Sequence, residues 1–263
     1  MKIDAARIVT LTTDFGSRDP YAAAMKGAIF SVDRTLTVVD LTHEIPPQGI
    51  YEGSLFLAGA LTYFPKGTVH VAVVDPGVGT ERHPIALRAG GHVLLCPDNG
   101  LATFFLRDRL LDEARVISNP AYIAERVSPT FHGRDIFAPA AAHLASGANF
   151  ADIGDEIDTV TMLDLLSPTG DEFKGIEGEI IHIDRFGNCV TNIYTATLKG
   201  ATPVSVRVGR SRRLRICRTY GDAPFGEPLA LFGSSGLLEI AVNGGNAAAA
   251  LSLNAGSPVF VAF

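Results

Sequence analysis

The run VVDPGVGTERHP, residues 73–84, decides the fold. Val69, Val71, Ala72, Val73 and Val74 form an apolar stretch that reads as a buried strand. The strand stops at Asp75, Pro76-Gly77 supplies a turn, and a loop with glycines at 77 and 79 delivers Arg82. Ligands of open α/β sheets gather outside the carboxyl ends of the strands. An acid at that spot, with an arginine one loop away, is therefore a site candidate. Taken alone, the same residues also describe a turn-forming Asp-Pro beside a solvated arginine.

Working outward, the chain repeats the arrangement. Residues 7–13 (RIVTLTT) read as a strand ending at Asp14-Phe15-Gly16, residues 36–41 as one ending at Thr42-His43, and residues 93–96 as one ending at Pro97-Asp98-Asn99-Gly100. Helical patterns cover residues 21–32, 50–64 and 101–111, and a hairpin turn is expected at Ala89-Gly90-Gly91. Strands alternating with helices predict a parallel sheet covered on both faces, a three-layer, Rossmann-like α/β domain. Residues 140–144 (AAAHL) add a further helix.

The periodicity then changes. Residues 163–174 (LDLLSPTGDEFK) mix Pro, Gly and charge and read as a linker. Beyond them, short strands are expected at 176–183, 190–194, 204–208, 214–218, 229–232, 237–242 and 259–263, with one helical turn at Ala247–Leu251. Even spacing with turn signals predicts a small all-β barrel or sandwich. The expected division is an N-terminal α/β domain over residues 1–165 and a barrel-like β domain over residues 166–263. So small a β domain gains from packing against another subunit.

Composition narrows the function. The chain has 263 residues, 47% of them hydrophobic and 19% charged, with mean hydropathy +0.23. No apolar run reaches the length of roughly 18 residues that a membrane helix needs, and the early strand and acid in MKIDAARIVTL do not suit a signal peptide. A net charge of −6 and a pI near 5.6 argue against a nucleic-acid surface. The basic cluster from Arg210 to Arg218 reads as the solvent face of a strand. Cys96, Cys189 and Cys217 are isolated, odd in number and set in apolar strand contexts, which suggests reduced, buried thiols in a cytoplasmic protein.

Common cofactor signatures are missing. There is no GxGxxG after the first strand, no P-loop, no GxSxG elbow, and no HxH or HExxH among the histidines. Neither a cofactor nor a metal is expected.

Four loops remain. Asp14 is either a plain loop acid or a carboxylate placed to accept both hydroxyls of a ribose. Asp19 precedes Pro20 and a helical run, so it either caps that helix or meets a ligand amine. His132 and Gly133 precede a helix whose N-terminal N–H groups favour a neutral imidazole. Asp184-Arg185-Phe186-Gly187-Asn188 is either a hairpin turn or an aromatic face plus an amide suited to an adenine ring.

Together the motifs TDFG (13–16), HEIPPQ (43–48), VDPGVGTER (74–82), PDNG (97–100), TFHGRDIF (130–137), DRFGNCVTNI (184–193) and GSSGLLEIAVNGG (233–245) occur in order. This set resembles the S-adenosyl-L-methionine hydroxide adenosyltransferases, relatives of fluorinase and chlorinase. The resemblance spans nearly the whole chain. It implies hydrolysis of S-adenosylmethionine (SAM) to adenosine and methionine in a homotrimer, with each site between the N-terminal domain of one subunit and the C-terminal domain of the next. By the same resemblance, Asp75, Arg82 and His132 are catalytic, Asp14 binds ribose, and Asp19 lies near the methionine amine. Phe186 and Asn188 lie beside adenine, Ser234, Ser235, Asn243 and Gly244 form the segment touching methionine and adenine, and Tyr220 is a second stacking aromatic. The halogenases carry an aromatic or aliphatic residue where Asp75 stands, and a longer loop than the stretch from Arg82 to Gly91 allows. Water is therefore the expected nucleophile, with Asp75 or His132 as its base. A chlorinase, which Gly133 also fits, and a SAM-binding sensor without turnover are the alternatives.

Overall fold

A computed structural model describes residues 5–107, 109–165, 167–171, 173–209 and 212–263. The chain divides into two compact units, Met1–Leu163 and Asp164–Phe263.

The first unit runs β1 (Ile8–Thr13), α1 (Tyr21–Val32), β2 (Thr37–Thr42), α2 (Ile50–Leu61), β3 (Val69–Val73), β4 (Pro84–Ala89), β5 (His92–Pro97), α3 (Thr103–Arg107), β6 (Leu111–Val116) and α4 (Ala138–Ala145). Its strands lie in the order β2-β1-β3-β5-β4-β6. The β2, β1, β3 and β5 neighbours are parallel, whereas β4 runs antiparallel to both β5 and β6. The sheet is thus mixed, because the hairpin through Gly90 (φ 60°) and Gly91 (φ 85°) turns the chain back on itself. Two successive left-handed residues are what a tight hairpin of this hand requires.

Strand side chains alternate between two cores. Val9, Leu11, Val71, Val73, Ala86, Val93 and Leu95 pack with Met25 and Ile29 of α1 and the alanines of α4. Ala72, Val74, Ile85, Leu87, Leu94 and Cys96 pack with Leu57 and Leu61 of α2 and Phe105 of α3. The result is three layers. A fully buried side chain such as Leu11 or Leu87 contributes about 1.5–3 kcal/mol. Thr10, His70 and His92 form a buried chain, with Thr10 Oγ1 2.7 Å from His70 Nδ1 and His70 Nε2 3.2 Å from His92 Nδ1. Burial pushes His70 down to about 3, so it stays neutral.

Several expectations change. The helix expected over residues 101–111 shrinks to α3, and Leu111 instead opens the edge strand β6. The sequence LDEARV hides that strand because its charges are paired: Glu113 lies 2.9 Å from Arg88 on the neighbouring strand β4 and 2.5 Å from Arg115 two residues along its own strand. Charged side chains on an edge strand also discourage pairing with other chains. Asp19 does not cap α1. Pro20 holds the N-cap position, and α1 has no side-chain cap bond. A π-helix, Gly133–Phe137, leads into α4, which accepts Pro139 in its first turn.

The second unit contains β7 (Thr169–Asp171), β8 (Gly175–Ile183), β9 (Cys189–Tyr194), β10 (Ser205–Val208), β11 (Arg212–Leu214), β12 (Pro228–Phe232), β13 (Leu237–Val242), α5 (Ala247–Leu251) and β14 (Pro258–Ala262). The order β11-β10-β14-β8-β9-β13-β12 makes an antiparallel sheet that curls into a nearly closed barrel. Its two ends approach where Cys217 N donates to Ala230 O and Ala230 N to Arg215 O. The strand expected at 214–218 lies earlier: β11 ends at Leu214, residues 215–217 serve this closure instead, and Cys217 is half-buried rather than buried as expected. Ile176, Ile180, Val206, Leu238, Ile240 and Val261 fill the interior. The stretch read as a linker holds β7, which pairs with β8. Arg210 lies outside the described residues. No helix of the described residues is long and apolar enough to cross a membrane.

Candidate functional site

Strand order reverses between β1 and β3, since β1 leads to β2 on one side and to β3 on the other. A crevice opens at such a switch point, outside the carboxyl ends of the strands. There, a cleft of about 690 Å³ is lined by Asp14 and Phe15 after β1, Val73 and Asp75 at the end of β3, Gln48 before α2, and Thr130 to Arg134 before α4.

Arg82 ties this cleft together. Its Nε donates to Asp75 Oδ1 at 2.9 Å, and one Nη2 hydrogen goes to Asp75 Oδ2. Nη2 also lies 2.8 Å from His132 Nδ1. An arginine can only donate, so Nδ1 carries the lone pair and the neutral imidazole holds its proton on Nε2. Burial first, then the Arg82 cation, hold His132 below its ordinary value, against the pull of Asp75 and Asp135. The ion pair is nearly dry, with the Arg82 and Asp75 side chains 9% and 5% exposed. The guanidinium also lies 5.8 Å from the Phe137 ring centroid. Arg82 Nη1 is buried without a hydrogen-bond partner among the described residues.

The loops are held by their neighbours. Gly79 has φ 79°, and a Cβ there would lie 2.4 Å from Pro129 O, so only glycine lets the Arg82 loop sit on the His132 loop. Asn99, from the PDNG motif, donates to Val74 O at 2.9 Å and fixes the chain just before Asp75. Asp135 accepts from Ser128 N at 2.8 Å and from Arg134 Nε at 2.6 Å, which anchors the segment carrying His132. Asp14 Oδ2 accepts from Gln48 N at 2.9 Å. Gln48 has φ 64°, a strained conformation for a residue with a side chain.

The sequence reading missed the aromatic wall of this cleft. Phe15, Tyr21 and Phe131 pack with ring centroids 5.3–5.8 Å apart. Asp19 is exposed and does not line the cleft.

The second unit carries its own cavity, of about 570 Å³, lined by Asp184, Phe186, Asn188, Tyr220, Gly244 and Asn246 among others. Asp184 Oδ1 accepts from Phe186 N and Asn188 N, at 2.9 and 2.8 Å, and its Oδ2 accepts from Asn188 Nδ2 at 3.0 Å. The turn is therefore a hairpin corner and also a rigid mount for an aromatic ring and an amide oxygen. Phe186 is 75% exposed, so one face of its ring is open to a ligand. Asp184 was legible as the first residue of the motif but its part was not. Ser234 and Ser235 stand exposed in the β12–β13 turn and do not line this cavity. Asn243 donates to Ala223 O at 2.8 Å and so braces a loop. Among the described residues, no group of His, Cys, Asp and Glu is arranged to hold a metal ion.

A family model described as the SAM hydroxide adenosyltransferase N-terminal domain matches residues 9–154, and one described as its C-terminal domain matches residues 178–260. Proteins named (R)-S-adenosyl-L-methionine hydrolase in Salinispora arenicola and Thermus thermophilus are 41% and 42% identical. Those alignments span 96% of this chain and 97% and 98% of the relatives. A fluorinase from Actinoplanes sp. is 28% identical over 97% of each chain. The crystal structure of an uncharacterized conserved protein from Thermotoga maritima superposes with TM-score 0.91 at 35% identity, covering 97% of this chain and 100% of that one.

Proposed function

Because the chain belongs to the SAM hydroxide adenosyltransferase family, we propose that it hydrolyses S-adenosyl-L-methionine to adenosine and L-methionine, with water attacking ribose C5′. The observation that carries this reading is the nearly dry Asp75–Arg82 pair joined to the half-buried His132 at the strand-order switch.

The chemistry sets the demand. The C5′–S bond breaks, its electron pair stays on sulfur, and the leaving thioether is neutral and needs no proton. A C5′–O bond forms, and the water must release one proton. Bulk water has a pKa of about 15.7, so this proton needs an acceptor. His132 offers its lone pair to Arg82 and is held neutral, which leaves it Nε2–H as a donor to the water oxygen. Asp75 keeps unused lone pairs on both carboxylate oxygens and takes the proton. Arg82, always cationic and paired with Asp75 behind the cleft, favours negative charge developing on the attacking oxygen. A dry cleft favours the step because opposite charges merge as the hydroxide-like oxygen meets the sulfonium. Asp14, with Oδ2 pinned by Gln48, offers its remaining lone pairs to the ribose hydroxyls. Phe186 and Asn188 take the adenine.

The curated relatives carry (R) in their names, and we extend that sulfonium configuration to this chain. Purified protein is to be incubated with SAM of mixed sulfur configuration in H₂¹⁸O containing chloride and EDTA. The expected result is loss of the (R) epimer, adenosine labelled at the 5′-oxygen, and unlabelled methionine. Intact SAM would leave a binding protein. A 5′-chloro nucleoside would make chloride the nucleophile.

The two half-sites lie on separate units, and so small a barrel benefits from a neighbour. We propose a homotrimer in which the cleft of one subunit meets the cavity of the next. Light scattering is expected to give three times the mass of the chain, and full activity in a monomer would refute the shared site.

A further inference from the structure

We propose that Glu239 is a positioning residue for the nucleoside, holding the Tyr220 ring in place as one wall of the second-unit cavity. The proposal rests on the reading of that cavity as the adenine site.

Glu239 lies in β13 between Leu238 and Ile240, both fully buried. Its strand is interior to the sheet, paired with β12 through Leu231 and with β9 through Val190. Leu238, Ile240 and Val242 face the barrel core. Alternation turns Glu239 to the opposite face, toward the short 3₁₀ turn Tyr220–Asp222. An acid in a central strand is costly unless it is hydrogen-bonded. Here Oε2 accepts from the Tyr220 hydroxyl at 2.8 Å.

The other oxygen is accommodated by a second residue. A Cβ on Gly233 would lie 1.9 Å from Glu239 Oε1. Gly233 does not have a positive φ, so what its missing side chain gives is room for the Glu239 carboxylate, which a Cβ there would push aside. Gly233 closes the β12–β13 hairpin by donating to Leu237 O at 2.9 Å. The dependency runs from the missing side chain at 233, through the carboxylate of 239, to the ring at 220. The ring lines the cavity together with Phe186 and Asn188. Burial raises the Glu239 carboxyl, and burial with the Glu239 contact pushes the Tyr220 hydroxyl up to about 12, so the tyrosine keeps its proton and acts as donor.

A purely structural position in this strand would be served by an apolar residue, as its neighbours are. A carboxylate bonded to a cavity wall has a different consequence. It fixes a ring that is 42% exposed. Pre-orienting that ring lowers the ordering cost of stacking a base on it.

The test measures adenosine affinity by calorimetry, which needs no turnover, beside SAM kinetics. Glu239→Ala is expected to weaken adenosine about tenfold, the scale of one hydrogen bond to a charged group. KM for SAM should rise by the same factor, with kcat within about twofold of the wild type, as expected when only ground-state binding is lost. Glu239→Gln keeps an acceptor and should restore most of the affinity. Tyr220→Phe, which leaves the strand untouched, should match Glu239→Ala, and the double variant should be no worse than either. Gly233→Ala should weaken adenosine in the wild-type background and add nothing in Glu239→Ala. Unchanged affinity in Glu239→Ala, equal losses with Gln and Ala, or a fall in kcat alone would overturn the proposal. Wild-type protein that binds adenosine without cleaving SAM would sink the hydrolase reading and leave this inference standing. Wild-type protein that cleaves SAM but binds no adenosine would overturn this inference and leave the hydrolase reading standing.

Discussion

In Asp75→Asn, turnover of SAM is expected to fall roughly 10²-fold or more, the range for loss of a positioned general base. KM should move little, since the carboxylate is assigned to the nucleophile and not to the nucleoside. The substitution keeps the size of the side chain and one acceptor for Arg82, and it removes the proton acceptor. His132 separates two roles. His132→Ala should also lose roughly 10²-fold in kcat. His132→Gln offers an N–H donor and no useful base, so it should retain well over half of the wild-type rate if the imidazole only donates. If Gln and Ala are equally impaired while Asp75→Asn is active, the proton goes to the histidine. Asp14→Ala should show the opposite pattern, a raised KM with kcat largely kept. Near-wild-type turnover in both Asp75→Asn and His132→Ala would leave the cleft a binding site only.

The sequence made some of this visible for a definite reason. Asp75, Arg82 and His132 stand at element ends, where strand and helix signals stop, and glycines mark the close approach of two loops. Local pattern marks such positions as candidates, but it fits a turn acid beside a solvated arginine equally well, and only the family resemblance joins the three into one set. The aromatic wall of Phe15, Tyr21 and Phe131 joins residues more than a hundred positions apart, and no periodicity announces it. Strand β6 escaped because Glu113 is neutralised by Arg88 on the neighbouring strand β4 and by Arg115 on its own strand, so its face carries charge where a buried strand carries valine. The π-helix before α4 escaped because a single widened turn leaves the 3.6-residue pattern almost intact. Glu239 did leave a signal, an acid inside the apolar run LLEIAV, but its partner Tyr220 lies in a separate turn that only the folded barrel brings near.

Arg82→Met is expected to destabilise the folded protein by about 3–5 kcal/mol, because it leaves a buried carboxylate without its partner. Asp75 is 5% exposed, and Arg82 reaches both of its oxygens. Methionine fills much of the volume and keeps a favourable contact with the Phe137 ring, so lost packing is a minor part of the effect. Turnover should fall roughly 10²–10³-fold, as when a preorganised donor to a developing charge is removed. Urea unfolding measures the first effect and steady-state kinetics the second. The double variant Asp75→Asn/Arg82→Met tells them apart. With no charge left buried, it should regain much of the lost stability, yet it has neither the acceptor nor the cation and should recover no turnover. A single variant as stable as the wild type would mean that water reaches Asp75 and that the pair is not dry. A double variant that regains activity along with stability would show that the arginine serves folding alone, and the electrostatic part of the mechanism would have to be abandoned.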